Sequence, residues 1–527
     1  MDPLPEPLFP REPIPRRVVA IRRHKAAWAG QGRLWGAALL LLTVSFAGPG
    51  RSLAAADLAP EGREALVRAM QSVSNAVPKA MADPGRPVFH FRPPAQWMND
   101  PNGLIHHRGW YHLFYQHNPY ADTWGNMHWG HARSRDLVRW EHLPIALWPS
   151  KEVGEEHVFS GCATLDAQEQ PVIFYTSIGR GRGADVHAEQ WMARGSEDLV
   201  TWRKPASNPV LTESLHGAQK VYDWRDPFVF RVGRRTFLVC GGNLNQGKGG
   251  QAVVRLYEAE NGELTRWKDR GVVFEHPDPE VKNIECPQLF PLDGTWVLML
   301  SPHRRVEWFT GTFDPESGQF AAKRRGFADY GGGYYAPQCF ADQTGRRVLF
   351  GWIRGFPEGR GWNGCLTLPR QLSVSSGVLM QRPAPEVEQL RGTRSRLRSE
   401  PLSGERQWIE ARGEAMEIEA IFERGEASAV GLRLRQSADG KRCVNVRWDG
   451  KRLEVGGTSM SLFGDLTGGR VEFRVFLDRS CLEVYAAGQC LTEVIPFEPG
   501  DDGVSVFAEG NGARITSLSA WRMTPVW

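Results

Sequence analysis

Three short polar signatures carry most of the chemistry this chain could perform. The first is Trp97-Met98-Asn99-Asp100-Pro101-Asn102-Gly103, which holds one carboxylate and two side-chain amides. The second is Arg225-Asp226-Pro227 and the third Glu285-Cys286-Pro287. In each, proline next to or near the acid forbids a helix and fixes a corner from which the carboxylate projects. Taken one at a time these are ordinary turn compositions. Brought together, such carboxylates suit cleavage of a glycosidic bond: one attacks or stabilises the anomeric carbon, another protonates the leaving oxygen. Local context predicts a division of labour. Asp100, beside Asn99 and backbone N–H groups, stays ionised. Glu285, between Ile284 and Cys286, takes a raised pKa, and Arg225 holds Asp226 charged.

Whether the three acids meet depends on the elements that carry them. Each signature is followed by a strand: Asp100 by 112–116, Arg225-Asp226-Pro227 by 236–240, Glu285-Cys286-Pro287 by 296–300. Two further signatures, Phe159-Ser160-Gly161 before 172–176 and Ala336-Pro337-Gln338 before 348–352, complete a set of five. A repeat of roughly 50–65 residues with several short strands and no helical period predicts propeller blades. Ser134-Arg135-Asp136-Leu137-Val138-Arg139-Trp140 is echoed by Ser196-Glu197-Asp198-Leu199-Val200-Thr201-Trp202, at the outer strands of the first two blades. If every signature starts an innermost strand, all five line one central funnel. The expected fold is therefore all-β: a five-bladed β-propeller over residues 88–385, then a linker over 386–406. A β-sandwich occupies 407–527, where alternating strands such as Ala415–Phe422 and Val471–Phe476 return.

The first 87 residues read differently. Residues 1–56 hold eight basic and three acidic residues, then an uncharged run including Leu39–Leu42 and the small residues Ala54-Ala55-Ala56. That order predicts a secretory signal peptide, hence a secreted (extracellular or periplasmic) protein with no stable membrane partner once cleaved, and an uncleaved anchor stays open as the alternative. Residues 57–87 form an N-terminal arm with one helical pattern around Glu61–Val77. The leader carries the positive charge: the whole chain is +4, and residues 57–527 sum to about −1, which gives no basis for nucleic-acid binding. Eight cysteines are scattered without a Cys-x-x-Cys pair, so no metal site is expected and disulfide pairing cannot be read. His106-His107, His128 and His131 lack paired carboxylates and are not expected to bind metal either. The glycine-rich stretches 179–183 and 247–250 lack the Lys-Ser/Thr of a phosphate loop and are expected as blade loops. No cofactor is expected, and oligomeric state is not legible.

The ordered set Trp-Met-Asn-Asp-Pro-Asn-Gly, Phe-Ser-Gly, Arg-Asp-Pro and Glu-Cys resembles glycoside hydrolase family 32, the invertases, inulinases and levanases. Trp124-Gly125-Asn126, Tyr335-Ala336-Pro337-Gln338, Leu368-Pro369-Arg370 and Asp478-Arg479-Ser480 extend the likeness from Val88 to the C-terminus. The resemblance implies a retaining hydrolysis of β-D-fructofuranosides such as sucrose, inulin or levan. It implies Asp100 as nucleophile, Glu285 as acid/base and Asp226 as transition-state stabiliser. It further implies that Trp97, Met98, Asn99, Gln116, Trp124, Phe159, Ser160, Arg225 and Trp352 bind the substrate. Cys162 stands where the family often has Ser. A fructosyltransferase using the same site stays open as an alternative. A fructan-binding protein without catalysis is disfavoured by the intact acids, and an arabinan- or xylan-degrading propeller by the Trp-Met-Asn-Asp turn.

Overall fold

The computed structural model describes residues 60–179, 188–245, 250–463 and 468–527. The leader expected at 1–56 and most of both glycine-rich stretches lie outside the described residues. Helix α1 (Pro60–Met81) leads through an arm into five sheets of mostly consecutive antiparallel strands, the first of which adds the short parallel strand Trp362–Asn363. Their innermost strands are Gln96–His107, Glu155–Leu165, Val221–Val232, Glu285–Leu292 and Tyr334–Ala341. Each lies beside the next, and the fifth lies beside the first, which closes the ring. This is the five-bladed propeller.

The blades hold together because the faces that meet between neighbouring blades are apolar. Phe114 and Trp129 of blade one pack with Ile173, Tyr175 and Trp191 of blade two. Met98 and Leu113 meet Val348 and Phe350 of blade five across the closing seam. The Ser134–Trp140 echo is a turn with Leu137 in the left-handed region (φ 65°) and the Trp140 indole N–H donating to the Leu137 carbonyl at 3.0 Å. Leu199 and Trp202 repeat it at 2.7 Å, and Leu264 and Trp267 of blade three at 3.0 Å. The third copy escapes the sequence comparison because only the Leu and Trp are shared.

Past the propeller, a 3-10 turn (Pro385–Leu390) leads straight into strands Arg391–Leu397 and Glu400–Gln407. The linker expected at 386–406 is thus largely strand. Both strands pair with the 21-residue C-terminal strand Gly503–Met523, which also pairs with Ala415–Glu423 and Ala429–Gln436. That long strand, bent at Gly510 (φ 103°) and Gly512 (φ 82°), serves both layers of a sandwich packed on Trp408, Phe422, Trp448 and Phe473. The charged composition of 386–406 misled because these strands expose their side chains and are held by backbone pairing.

The Asp478-Arg479-Ser480 signature turns out to clamp the N-terminal arm onto the sandwich. Asp478 accepts the backbone N–H groups of Val88, Phe89 and His90, Ser480 donates to the Gly85 carbonyl, and Arg479 donates to that of Arg86. His90 lies fully buried between Asp478 (2.8 Å) and Glu483 (3.0 Å). Burial opposes its charge, yet the two carboxylates outweigh burial and push its pKa up to about 10. Arg370 of blade five completes the seam, reaching Asp329 at 2.9 Å and Glu483 at 2.7 Å.

Candidate active site

A β-bulge interrupts every innermost strand at the same point: between Met98 and Pro101, Val158 and Gly161, Arg225 and Phe228, Glu285 and Gln288, and Tyr335 and Gln338. The extra residues cannot continue the ladder and turn their side chains toward the axis. Asp226, Cys286 and Ala336 take left-handed backbone there (φ 63°, 48° and 44°), a conformation that costs energy in a non-glycine residue. The five signatures are the five bulges, which is how residues far apart in sequence reach one funnel.

The three acids are brought together. The Cys286 thiol touches Asp100 Oδ2 and Asp226 Oδ2 at 3.7 Å each, and the Cys286 N–H donates to Asp226 at 2.8 Å. Arg225, Glu285 and Tyr335 occupy equivalent positions just before their bulges on blades three, four and five, so they form a row. Glu285 accepts from Arg225 at 2.5 Å and from the Tyr335 hydroxyl at 2.7 Å, and His303 stands 3.7 Å away.

Asp100 is held by a closed ring of donors. Asn99 Nδ2 donates to its Oδ1 (2.9 Å) and to Gln116 Oε1 (3.2 Å). Gln116 Nε2 donates to Ser160 Oγ (2.7 Å), which donates to Asp100 Oδ2 (2.6 Å). The Trp97 indole fixes Asn99 from the other side at 2.7 Å. Beside the acids, side-chain amides tie the innermost strands of different blades together. Gln338 bridges Leu104 N and Gly161 O, and Gln288 bridges Pro337 O and Cys339 N.

The sequence-based protonation pattern is reversed. Burial raises Asp100 above the usual carboxylate range, outweighing Ser160 and Asn99. Burial likewise pushes Asp226 up to about 7; Arg225 opposes this while Glu285 and Asp100 add to it. For Glu285, burial acts upward, but Arg225, His303 and Tyr335 outweigh it and hold the carboxyl below its usual value. The sequence places Arg225 next to Asp226, whereas in space its guanidinium lies on Glu285. In the free protein, Glu285 is the most readily ionised of the three.

Trp97 and Trp352 meet edge to face at 5.7 Å on one wall. The Trp352 indole N–H is buried without a partner among the described residues. Gly364 makes that wall possible: at φ 86°, a Cβ there would lie 2.2 Å from the Met98 carbonyl and 2.9 Å from Trp352 Nε1. Trp124, 46 % exposed, stacks on His157 and stands edge-on to Phe159 at the rim. Met98 is the exception among the expected substrate-binding residues. It is fully buried in the core of blade one, because strand alternation sends 98 away from the face that carries Trp97 and Asn99. Tyr335 was legible as part of a motif but had no assigned role, and its position in the register supplies one. His303 and Arg354, whose guanidinium lies 4.4 Å over the Tyr335 ring, have no sequence signal.

The chain matches the glycosyl hydrolases family 32 N-terminal domain over residues 90–383 and the glycosyl hydrolases family 32 C-terminal domain over 386–522. It is 32 % identical to a sucrose-6-phosphate hydrolase of Escherichia coli, covering 83 % of this chain and 94 % of that one. It is 29 % identical to a levanase of Bacillus subtilis, covering 84 % and 71 %. Among solved structures, a Bombyx mori GH32 beta-fructofuranosidase superposes with a TM-score of 0.75 at 28 % identity, covering 88 % of this chain and 99 % of that chain. A mutant of that enzyme has been solved in complex with sucrose.

Proposed function

Because the chain belongs to glycosyl hydrolase family 32 and is a glycoside hydrolase, we propose that it releases terminal fructose from β-D-fructofuranosides by double displacement. Asp100 attacks the anomeric carbon and forms a fructosyl ester. Glu285 protonates the departing oxygen and then activates the water that resolves the ester. Asp226 accepts hydrogen bonds from sugar hydroxyls and steadies the charge that develops on the ring. Trp97, Asn99, Gln116, Ser160, Arg225 and Trp352 surround the fructosyl unit, with Trp124 and Phe159 at the mouth.

The observation that carries this reading is the trio of carboxylates, Asp226 buried and Asp100 and Glu285 half-buried, gathered around Cys286 and Arg225 where three innermost strands bulge. Three like charges and one guanidinium in so small a space favour retention of a proton. In the free protein that proton rests most readily on Asp226, whose pKa is raised to about 7. A sugar donating its hydroxyls to Asp226 stabilises the ionised form and expels the proton, and Glu285 is the carboxyl positioned to pass it on.

The order of basic, apolar and then small residues over 1–56 supports export with cleavage near Ala56. N-terminal sequencing of secreted protein that starts at Met1 would overturn it. The convergence of all five innermost-strand signatures on one small site supports an exo mode. Purified enzyme incubated with sucrose, inulin, levan and sucrose 6-phosphate should yield free fructose from inulin from the first time points. Early release of mixed oligosaccharides would refute the exo reading.

A further inference from the structure

Two cysteines meet where the propeller, the sandwich and α1 come together. Cys365 lies on the short strand Cys365–Leu366 of blade five, and Cys481 opens the sandwich strand Cys481–Ala486. Their sulfurs are 3.5 Å apart, although the residues are separated by 116 positions in the chain. Both are completely buried, in a cluster with Ile353, Phe356 and Trp362 of the propeller and Val73 and Ala80 of α1. Among the described residues no other two thiols approach within hydrogen-bonding distance.

We propose that Cys365 and Cys481 form a disulfide that staples blade five to the sandwich when the protein matures in an oxidising environment. The two sulfurs are already in van der Waals contact. Rotation about the side-chain torsions with a small backbone shift brings them to the roughly 2.05 Å of an S–S bond. The oxidant is a small or protein disulfide such as oxidised glutathione. One cysteine thiolate attacks it, forming a mixed disulfide and releasing one reduced thiol. The second cysteine then attacks the protein sulfur and releases the other reduced thiol. Two thiol protons and two electrons leave the protein, and the oxidant's disulfide becomes two thiols. α1 covers the pair, so the bond forms before the arm docks and is afterwards shielded from reductant. It would fix the seam beside Gly364 and Trp352, and it does not depend on the catalytic roles assigned above.

The test is to produce the full chain in a host with an oxidising cytoplasm and unfold it in the presence of N-ethylmaleimide. Digestion and mass spectrometry then read the cysteines. The expected result is one linked peptide pair joining Cys365 to Cys481, with the other six cysteines alkylated. Folded protein with both Cys365 and Cys481 alkylated, or a link through any other cysteine, overturns the proposal. A second readout tracks the melting temperature. Wild type reduced while unfolded and then refolded in reductant should melt several degrees below the oxidised wild type, and the same treatment should leave the melting temperature of Cys365→Ala or Cys481→Ala unmoved; a redox shift that persists in these variants also overturns it.

Discussion

Replacing Tyr335 by Phe isolates what the propeller does to Glu285. The hydroxyl donates to Glu285 Oε2 at 2.7 Å and accepts the His303 N–H at 3.0 Å, while the ring carries the Arg354 guanidinium. Phe keeps the ring and removes the donor. A hydrogen bond to a charged group in a buried site contributes about 1.5–3 kcal/mol, and one pKa unit corresponds to about 1.36 kcal/mol. The hydroxyl also faces the Ser301 carbonyl at 3.2 Å, so its proton is shared and the lower end of that range applies. Glu285 is held below the usual range in part by this donor, so losing it raises the Glu285 pKa by about one unit. The acid form then persists to higher pH. The alkaline limb of the kcat/KM profile on sucrose should move up by about one pH unit, read as a macroscopic value of the coupled acids. An alkaline limb that stays in place or moves down, in a variant with unchanged melting temperature, would refute the reasoning.

The same geometry sets two further outcomes. Ser160→Ala removes a 2.6 Å donor from Asp100, whose pKa burial already raises, so the acid limb of kcat/KM should move up by about one pH unit; an unmoved acid limb would count against Asp100 as the group that must be ionised. His90 has a folded pKa of about 10 against 6.5 for a free imidazole, so its contribution to stability is fully present below about pH 6.5 and is lost as pH rises through 10. Thermal melts from pH 6 to 10 should show wild type losing stability across that window and His90→Gln starting lower with a flatter curve, whereas parallel curves would contradict the buried imidazolium.

Much of the architecture was legible because the propeller writes itself into sequence as repetition. The signature-then-strand order recurs five times, and each signature is a bulge that a proline or a cluster of turn residues makes inevitable. The acids were legible for the same reason. Their protonation was not: sequence neighbours such as Arg225 and Asp226 point to different partners once a bulge separates them, and Glu285 gains its cation from another blade. Met98 was drawn into the substrate-binding set by the motif around it, against the two-residue alternation that buries it. The polar stretch 386–406 lacked an apolar pattern because its strands depend on backbone pairing with Gly503–Met523 and on ion pairs such as Arg391 with Glu417. Cys365 and Cys481 were equally invisible as a pair, since only the docking of two domains brings them into contact.

Glu285→Ala offers the most direct measurement of whether Asp100 carries the fructosyl group in the proposed reaction. If Glu285 is the base that activates water, this variant lacks it, and the fructosyl-enzyme formed from an aryl fructoside, whose leaving group departs without protonation, should accumulate. Acid-quenched enzyme, digested and mapped by mass spectrometry, should carry one fructosyl unit on the peptide containing Asp100 and on that residue alone. A fructosyl unit on Asp226 or any other side chain, or no adduct together with a product of inverted configuration, would contradict it.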